Sequence, residues 1–337
     1  MLIKDDEKPH ADVIDGQQRL TTLTILISVI ASYLTGDNRS NCNKYLREPG
    51  NDLEGLAPLP RLYLRQKDQD FFNKYIQNVK LSELVSLDSE NLPNESQKHI
   101  RANCYLIMKK MDDVFTHTRM IFAKSKAKQN LLDEFREYVL TKVSPKELID
   151  NILEPYADAY TVLVNKKYVA TKNAEQINQY LFWLNKIDNS DWMPSAIRFM
   201  AEHKNEPDYV LWLMKKLERL ASFLHITAKD INRRIERYKK ILEEMEINPD
   251  HSMNDPLSSI ELTNDEKKEF VEALNGEIYK LTGIRRNYVI LRLNAFVSDG
   301  ANNFDFEPNI LTIEHVLPQT VSAGSEWEKY LYYYSMV

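Results

Sequence analysis

Two short stretches of this 337-residue chain combine residue types that can act on phosphate. The first is Asp15-Gly16-Gln17-Gln18-Arg19-Leu20-Thr21-Thr22-Leu23. Val13 and Ile14 before it have the β-branched character of a strand end, and Gly16 permits a sharp turn. Leu20, Leu23, Leu26 or Ile27, Ile30 and Leu34 then recur at helical spacing, with Gly36 as a stop. A strand, a glycine turn and a helix start leave backbone N–H groups at the positive end of a helix dipole, a geometry that suits phosphate. Arg19 adds a planar, permanently charged fork for phosphate oxygens. Gln17 and Gln18 each donate and accept hydrogen bonds toward a base, sugar or phosphate. Asp15 has the chemistry to hold a ribose hydroxyl, a Mg²⁺ ion or an attacking water. The competing reading is a plain helix start capped by Asp15, with Arg19 in solvent.

The second stretch is Leu311-Thr312-Ile313-Glu314-His315-Val316-Leu317-Pro318-Gln319. Hydrolysis of a phosphodiester by a metal-dependent nuclease needs a neutral imidazole to take a proton from water. It also needs a metal ion to stabilise the charge that develops on the phosphorus oxygens and the leaving group. His315 and Glu314 supply a base and a hard metal ligand side by side. A histidine on a β-branched run is, taken alone, just as compatible with a structural role.

The first string resembles the signature of the GmrSD-type restriction endonucleases, a modification-dependent (type IV) family. The resemblance implies an N-terminal domain with a ParB/sulfiredoxin-like nucleotide-binding fold, in which Asp15, Gly16, Gln17, Gln18 and Arg19 contact or hydrolyse a nucleoside triphosphate. The second string resembles the opening strand of the HNH ββα-metal nuclease domain at the C-terminus of the same family, where I-E-H-x-L-P-Q recurs. It implies His315 as general base and Glu314 as metal ligand. The implied cofactors are Mg²⁺ and a nucleoside triphosphate (GTP, ATP or UTP are not distinguished), and the implied partner is DNA. Arg61 to Arg65, followed by Asp68, Phe71 and Phe72, resembles a further part of the N-terminal domain, and residues 284–297 resemble the segment that precedes the nuclease strand. Family members carry several strands upstream of the first motif and an Asn and a His downstream of the second. Here 14 residues precede Asp15 and the 22 residues after His315 contain neither. The expectation is a chain truncated at both ends, inactive or impaired in cleavage, with a second chain or a homo-oligomer completing its domains.

The elements that must position these residues follow from composition and periodicity. The chain has ordinary soluble proportions, 43% hydrophobic and 28% charged, and only 8 glycines, which favours helices over a large sheet with many tight turns. Its net charge of −6 does not advertise nucleic-acid binding, so any DNA contact has to be concentrated locally. Arg233, Arg234 and Arg237, with Lys239 and Lys240, make one basic helix face, and Arg285, Arg286 and Arg292 a second group; solvated faces paired with Glu236, Glu243 and Glu244 are the alternative. Cys42 and Cys104 lie in no C-x-x-C pattern, which fits a reducing cytosol and excludes a cysteine zinc site. No signal peptide opens the sequence, and the apolar run from Leu20 to Leu34 is too short to span a bilayer. These features point to a cytoplasmic chain without membrane contact.

Along the chain, residues 37–60 read as irregular and Arg61 to Arg65 as a short strand. Phe71, Phe72 and Tyr75 read as core, and residues 82–96 as a polar linker. Helices are predicted from Ser96, with Ile100, Cys104, Ile107, Met108 and Met111 on one face, around Leu131 to Val139, from Ser144-Pro145, and nearly continuously from 174 to 276. Lys124, Lys126 and Lys128 read as a solvated helix junction. The fold class is mainly α with a small α/β part: a remnant of a ParB-like nucleotide domain (1–170), a helical connector (171–280) and the first strand of an HNH nuclease (281–337). The function expected from these observations is nucleotide-dependent cleavage of foreign or modified DNA in antiphage defence. Two alternatives stay open: a non-catalytic helical module that binds nucleotide or a partner, and a ParB-like nucleotide-sensing DNA-binding protein.

Overall fold

A computed structural model describes residues 2–4, 11–298, 323–325 and 327–328. In chain order the elements are β1 (Leu2–Lys4), β2 (Ala11–Val13), α1 (Gln17–Tyr33), α2 (Gly36–Asn43), β3 (Arg47–Glu48), β4 (Leu59–Pro60), α3 (Gln66–Phe72), α4 (Leu81–Ser86), α5 (Glu95–Ala123), α6 (Leu131–Phe135) and α7 (Pro145–Glu147). They continue with α8 (Glu154–Asn165), α9 (Ala174–Leu184), α10 (Met193–His203), α11 (Pro207–Ile226), α12 (Ile231–Ile247), α13 (Asn264–Asn275) and α14 (Gly283–Val297). The fold is mainly α. Its described β structure is two small antiparallel pairs, β1 with β2 in the register Leu2↔Val13 and β3 with β4 in the register Arg47↔Pro60. Among the described residues no helix is long and apolar enough to cross a membrane.

The backbone divides into two compact units, residues 1–163 with 193–204 and residues 164–192 with 205–337. In the first, α1 lies against α5 and the π-helical turn Asn73–Gln77 that continues α3. Ile25, Val29, Phe72, Ile76, Leu84 and Ile100 form its main core. The expected core roles of Phe72 and Tyr75 hold, and Ile100 and Cys104 are buried on α5 as their spacing predicts. The long α5 starts on a good cap, the Asn94 side chain accepting from the Gln97 amide. It is tied to α1 by the Tyr33 hydroxyl, which donates to Asp112 at 2.6 Å, and to α8 by Tyr160, which donates to Asp113 at 2.6 Å.

Several local expectations are corrected. The inward face of α1 carries Ile25, Ser28, Val29 and Ala31, while Leu23, Leu26 and Ile30 are exposed. Apolar side chains lie on more than one side of this helix, so spacing alone cannot choose its face; the pocket for Ser28, whose hydroxyl donates to the Ile76 carbonyl at 2.6 Å, does. Part of the stretch expected to be irregular is α2, a polar helix with no buried residue and Asp37 in its first turn, where an acid complements the dipole. The short strand falls at Leu59–Pro60, ahead of Arg61. The polar linker is interrupted by α4, whose Leu81 and Leu84 are buried. Gly36 opens α2, and α1 ends three residues before it, at Tyr33.

The junction near Lys124 is organised by a buried pair. Arg119 and Glu134 lie 2.5 Å apart, each almost inaccessible. Arg119 also donates to the carbonyls of Ser125 and Lys126, and Glu134 accepts from the amides of Lys128 (2.5 Å) and Gln129 (2.8 Å). Burial alone raises the Glu134 carboxyl, but those amides and the guanidinium outweigh it and hold its pKa below the ordinary value. The three lysines therefore surround a loop pinned from inside.

The second unit is a helical assembly in which α9 packs on α11. Leu181, Leu184, Leu213, Leu217, Leu220 and Leu242 are buried, as an amphipathic period of 3.6 requires. The cap of α13 is a capping box, Thr263 with Glu266.

Candidate functional site at the start of the first long helix

The expected strand, turn and helix are all present around Gly16. β2 ends at Val13 and α1 begins at Gln17, with Gly16 at φ 94° and ψ 9° between them. That left-handed conformation costs a residue with a Cβ about 1–2 kcal/mol, which is the physical reason for glycine here. The Gln17 side-chain amide donates to the Val13 carbonyl at 2.8 Å and braces the turn.

The helix entrance is open. The first intrahelical bond closes from the Leu20 amide to the Gly16 carbonyl at 3.0 Å. No side chain caps the helix and no acid stands in its first turn. Among the described residues, the amides of Gln17, Gln18 and Arg19 meet no acceptor. All three residues are exposed. Arg19 folds back over Gly16, its Nη2 3.6 Å from where a Cβ would stand. It pairs loosely with Asp15 at 3.8 Å, both side chains being largely exposed. Thr21 is occupied by its own helix, its hydroxyl donating to the Gln17 carbonyl at 2.8 Å. The arrangement gathers three free amides, a guanidinium and a carboxamide on one exposed surface, with a carboxylate at its edge. Chemically, it can receive a phosphate chain through the amides and Arg19, while Asp15 can accept from a hydroxyl or share a cation with the phosphates.

Glu314 and His315 lie outside the described residues. The basic residues of α12 separate into two groups. Arg234 pairs with Asp191 at 2.6 Å and donates to the Lys229 carbonyl at 2.8 Å. Arg237 clamps the carbonyls of Ser259 and Glu261 and lies 3.3 Å from Glu266. Arg233 and Lys240 are exposed and, among the described residues, enter no ion pair. They border an open cleft of about 240 Å³ that also holds Glu236, Glu266 and Glu269. On α14, Arg285 and Arg286 are half-buried, each with a buried Nε that meets no acceptor among the described residues.

Sequence reasoning missed a buried polar ladder between α11 and α14. The Tyr288 hydroxyl sits 2.6 Å from Ser222 Oγ and donates to Glu218 at 2.8 Å, while Arg292 Nε donates to the same carboxylate oxygen at 3.0 Å. One turn further, His225 Nδ1 lies 3.1 Å from Asp188. Burial is the main cause of a lowered His225 pKa, with Arg285 and Arg234 adding to it and Asp188 opposing. The available signal was spacing: Glu218, Ser222 and His225 recur at 4 and 3, and Arg285, Tyr288 and Arg292 at 3 and 4, so each trio lines one helix face.

Comparison with protein families decides the ancestry. A model of the N-terminal domain of GmrSD restriction endonucleases matches residues 1–298, and a model of their C-terminal domain matches residues 264–333. The chain belongs to the GmrSD restriction endonuclease family. Family membership gives it a restriction-endonuclease role with DNA as the substrate. No curated protein and no solved structure is matched by the chain. The first motif lies in the GmrSD N-terminal match, α13 and α14 fall in the overlap of the two, and Glu314 and His315 fall in the C-terminal match alone.

Proposed function

We propose that this chain is a nucleotide-responsive DNA endonuclease of the GmrSD type, acting on foreign or modified DNA. A nucleoside triphosphate seats at the start of α1. The observation that carries this reading is the uncapped, solvent-open helix entrance with Arg19 folded across Gly16. The amides of Gln17, Gln18 and Arg19 and the Arg19 guanidinium take the phosphates, and Gln18 faces the sugar or base. Asp15 would accept from the ribose or serve as an oxygen ligand for Mg²⁺, a hard ion that prefers such ligands. Its exposed carboxylate fits such a role.

DNA is cut by the Glu314–His315 pair. His315 takes the proton from water and Glu314 is the protein ligand to Mg²⁺, which when bound supplies charge stabilisation on the phosphodiester. DNA contact falls to the residues whose charge is not already spent inside the protein: Arg233, aided by Lys240, ahead of Arg234 and Arg237, with Arg285 and Arg286 as the second group. The test has two arms. Purified chain should bind a fluorescent triphosphate analogue, and Arg19→Ala should weaken that binding; Mg²⁺-dependent nicking of plasmid should disappear in His315→Ala. Nicking that persists in His315→Ala overturns the catalytic assignment.

A second reading, a non-catalytic module that binds nucleotide or a partner, is favoured by the exposed Leu23, Leu26 and Ile30 on the outer face of α1. Under it nucleotide binding survives and nicking is absent in the unmodified chain.

A further inference from the structure

The loop from Lys124 to Asn130 reads Lys-Ser-Lys-Ala-Lys-Gln-Asn and has no apolar side chain larger than a methyl group to bury. Such a stretch has no reason of its own to hold one shape. It is held all the same, and from inside. The buried Arg119 guanidinium donates to the Ser125 and Lys126 carbonyls, and the buried Glu134 carboxylate accepts from the Lys128 and Gln129 amides. Taking two charges out of water is expensive, and apolar side chains of similar size often stabilise a fold as well. What this pair adds is a fixed backbone on both sides of Ala127.

The four bonds of the clamp all go to main-chain atoms of the loop, so the lysine side chains are not used by it. Lys126 and Lys128 are exposed and, among the described residues, enter no ion pair. The acids beside them are already engaged, Glu134 with Arg119 and Asp133 with Arg136 at 3.3 Å. Being two residues apart, the two lysines have Cα atoms no more than about 7 Å from each other. Lys142, also exposed, brings its ammonium 3.3 Å from the Phe122 carbonyl, where it offsets the negative end of the α5 dipole. Like charges gathered without acids repel one another. In a chain of net charge −6, this is a local cationic surface of fixed shape.

We propose that the Lys126–Lys128 loop, with Lys142 beside it, is a docking surface for the phosphate backbone of duplex DNA. One strand of a duplex presents a charge about every 3.4 Å of helix axis, so two ammonium groups this close serve neighbouring phosphates. Backbone contacts position a duplex and carry no sequence information, a task for which a point charge on a flexible stem suffices. Because the main chain is already fixed, less freedom is lost on contact. All of these residues belong to the first compact unit and none is among the arginines of α12 and α14, so the surface adds a separate, sequence-independent hold on the substrate.

This surface presupposes DNA as the substrate, and the experiment separates the two. Anisotropy of a labelled duplex is followed from about 50 to 200 mM salt for the parent chain and for Lys126→Ala combined with Lys128→Ala. A control removes the same charge from two other exposed lysines of the unit, Lys67→Ala with Lys109→Ala. The loop variant should bind about tenfold more weakly and lose about 2 from the salt slope, at roughly 0.9 per phosphate, while the control keeps the parent's slope. A labelled nucleoside triphosphate should bind parent and loop variant alike. An unchanged slope in the loop variant, an equal loss in the control, or weakened triphosphate binding in the loop variant would each overturn the surface and leave DNA as the substrate. A parent chain that binds no duplex overturns both. Should the variants fail to fold by circular dichroism, labelling of the unmodified chain with an amine-reactive reagent decides. Duplex that shields Lys126 and Lys128 at least fivefold more than Lys67 supports the surface, and equal labelling with and without duplex refutes it.

Discussion

Replacing Arg19 by alanine should weaken triphosphate binding about tenfold and leave the fold untouched. The Arg19 side chain is 83% exposed and its distance to Asp15 is 3.8 Å, so the pair contributes only about 0–1 kcal/mol to stability. A charge-assisted hydrogen bond to phosphate is worth roughly 1.5–3 kcal/mol. Exposure puts this one at the low end, and about 1.4 kcal/mol is tenfold in Kd. The assay is fluorescence anisotropy of a labelled nucleoside triphosphate with Mg²⁺ present, at low and high salt. Arg39→Ala, an exposed arginine on α2, is the control. Asp15→Asn separates the roles of the carboxylate: binding is kept or tightened if Asp15 only tethers Arg19, whereas hydrolysis is lost if it holds Mg²⁺ or the attacking water. An Arg19→Ala protein that binds as tightly as the parent, over the same salt range, refutes phosphate capture by this guanidinium.

Three further outcomes follow from the geometry. Glu134→Gln strips the charge from a carboxylate that meets Arg119 and two backbone amides, leaving a buried guanidinium unpaired; urea denaturation should show a loss of about 3–5 kcal/mol, and a loss below 1 kcal/mol would contradict the buried geometry. His117 is buried, and burial, opposed only in part by Asp113, lowers its pKa from 6.5 to about 4. The folded state thus keeps it neutral while the unfolded state takes a proton, so its contribution is intact above pH 6.5 and is lost as pH falls toward 4. By linkage that loss is about 3 kcal/mol, and His117→Gln should flatten the acid limb of a stability–pH curve. Arg233→Ala should weaken DNA binding across sequences and reduce the salt slope by about 1, with little effect on stability. Arg234→Ala, which orphans Asp191, should instead lower the melting temperature, and the reverse pattern would exchange the two roles.

The local events at the candidate site were legible in the sequence because each depends on neighbours in the chain. β-branched Val13 and Ile14, Gly16 in a left-handed turn, and an apolar run without a proline specify strand, turn and helix within a span of about twenty residues. Ser144-Pro145 announces a helix start for the same reason. What α1 turns inward was decided by tertiary packing, since Leu23, Ile25, Leu26, Ile27, Val29 and Ile30 put apolar side chains on more than one side of the helix and spacing alone does not choose between them. Only the packed fold chose Ile25 and Val29 for the core and left Leu23 and Ile30 outside. The basic face of α12 shows the same limit: charge count made Arg233, Arg234 and Arg237 equivalent, yet Asp191, Ser259 and Glu261, distant in sequence, engage two of them and leave one exposed. Covalent neighbours set backbone angles and caps; which charge is neutralised, and which apolar face is covered, depends on residues that only folding brings near.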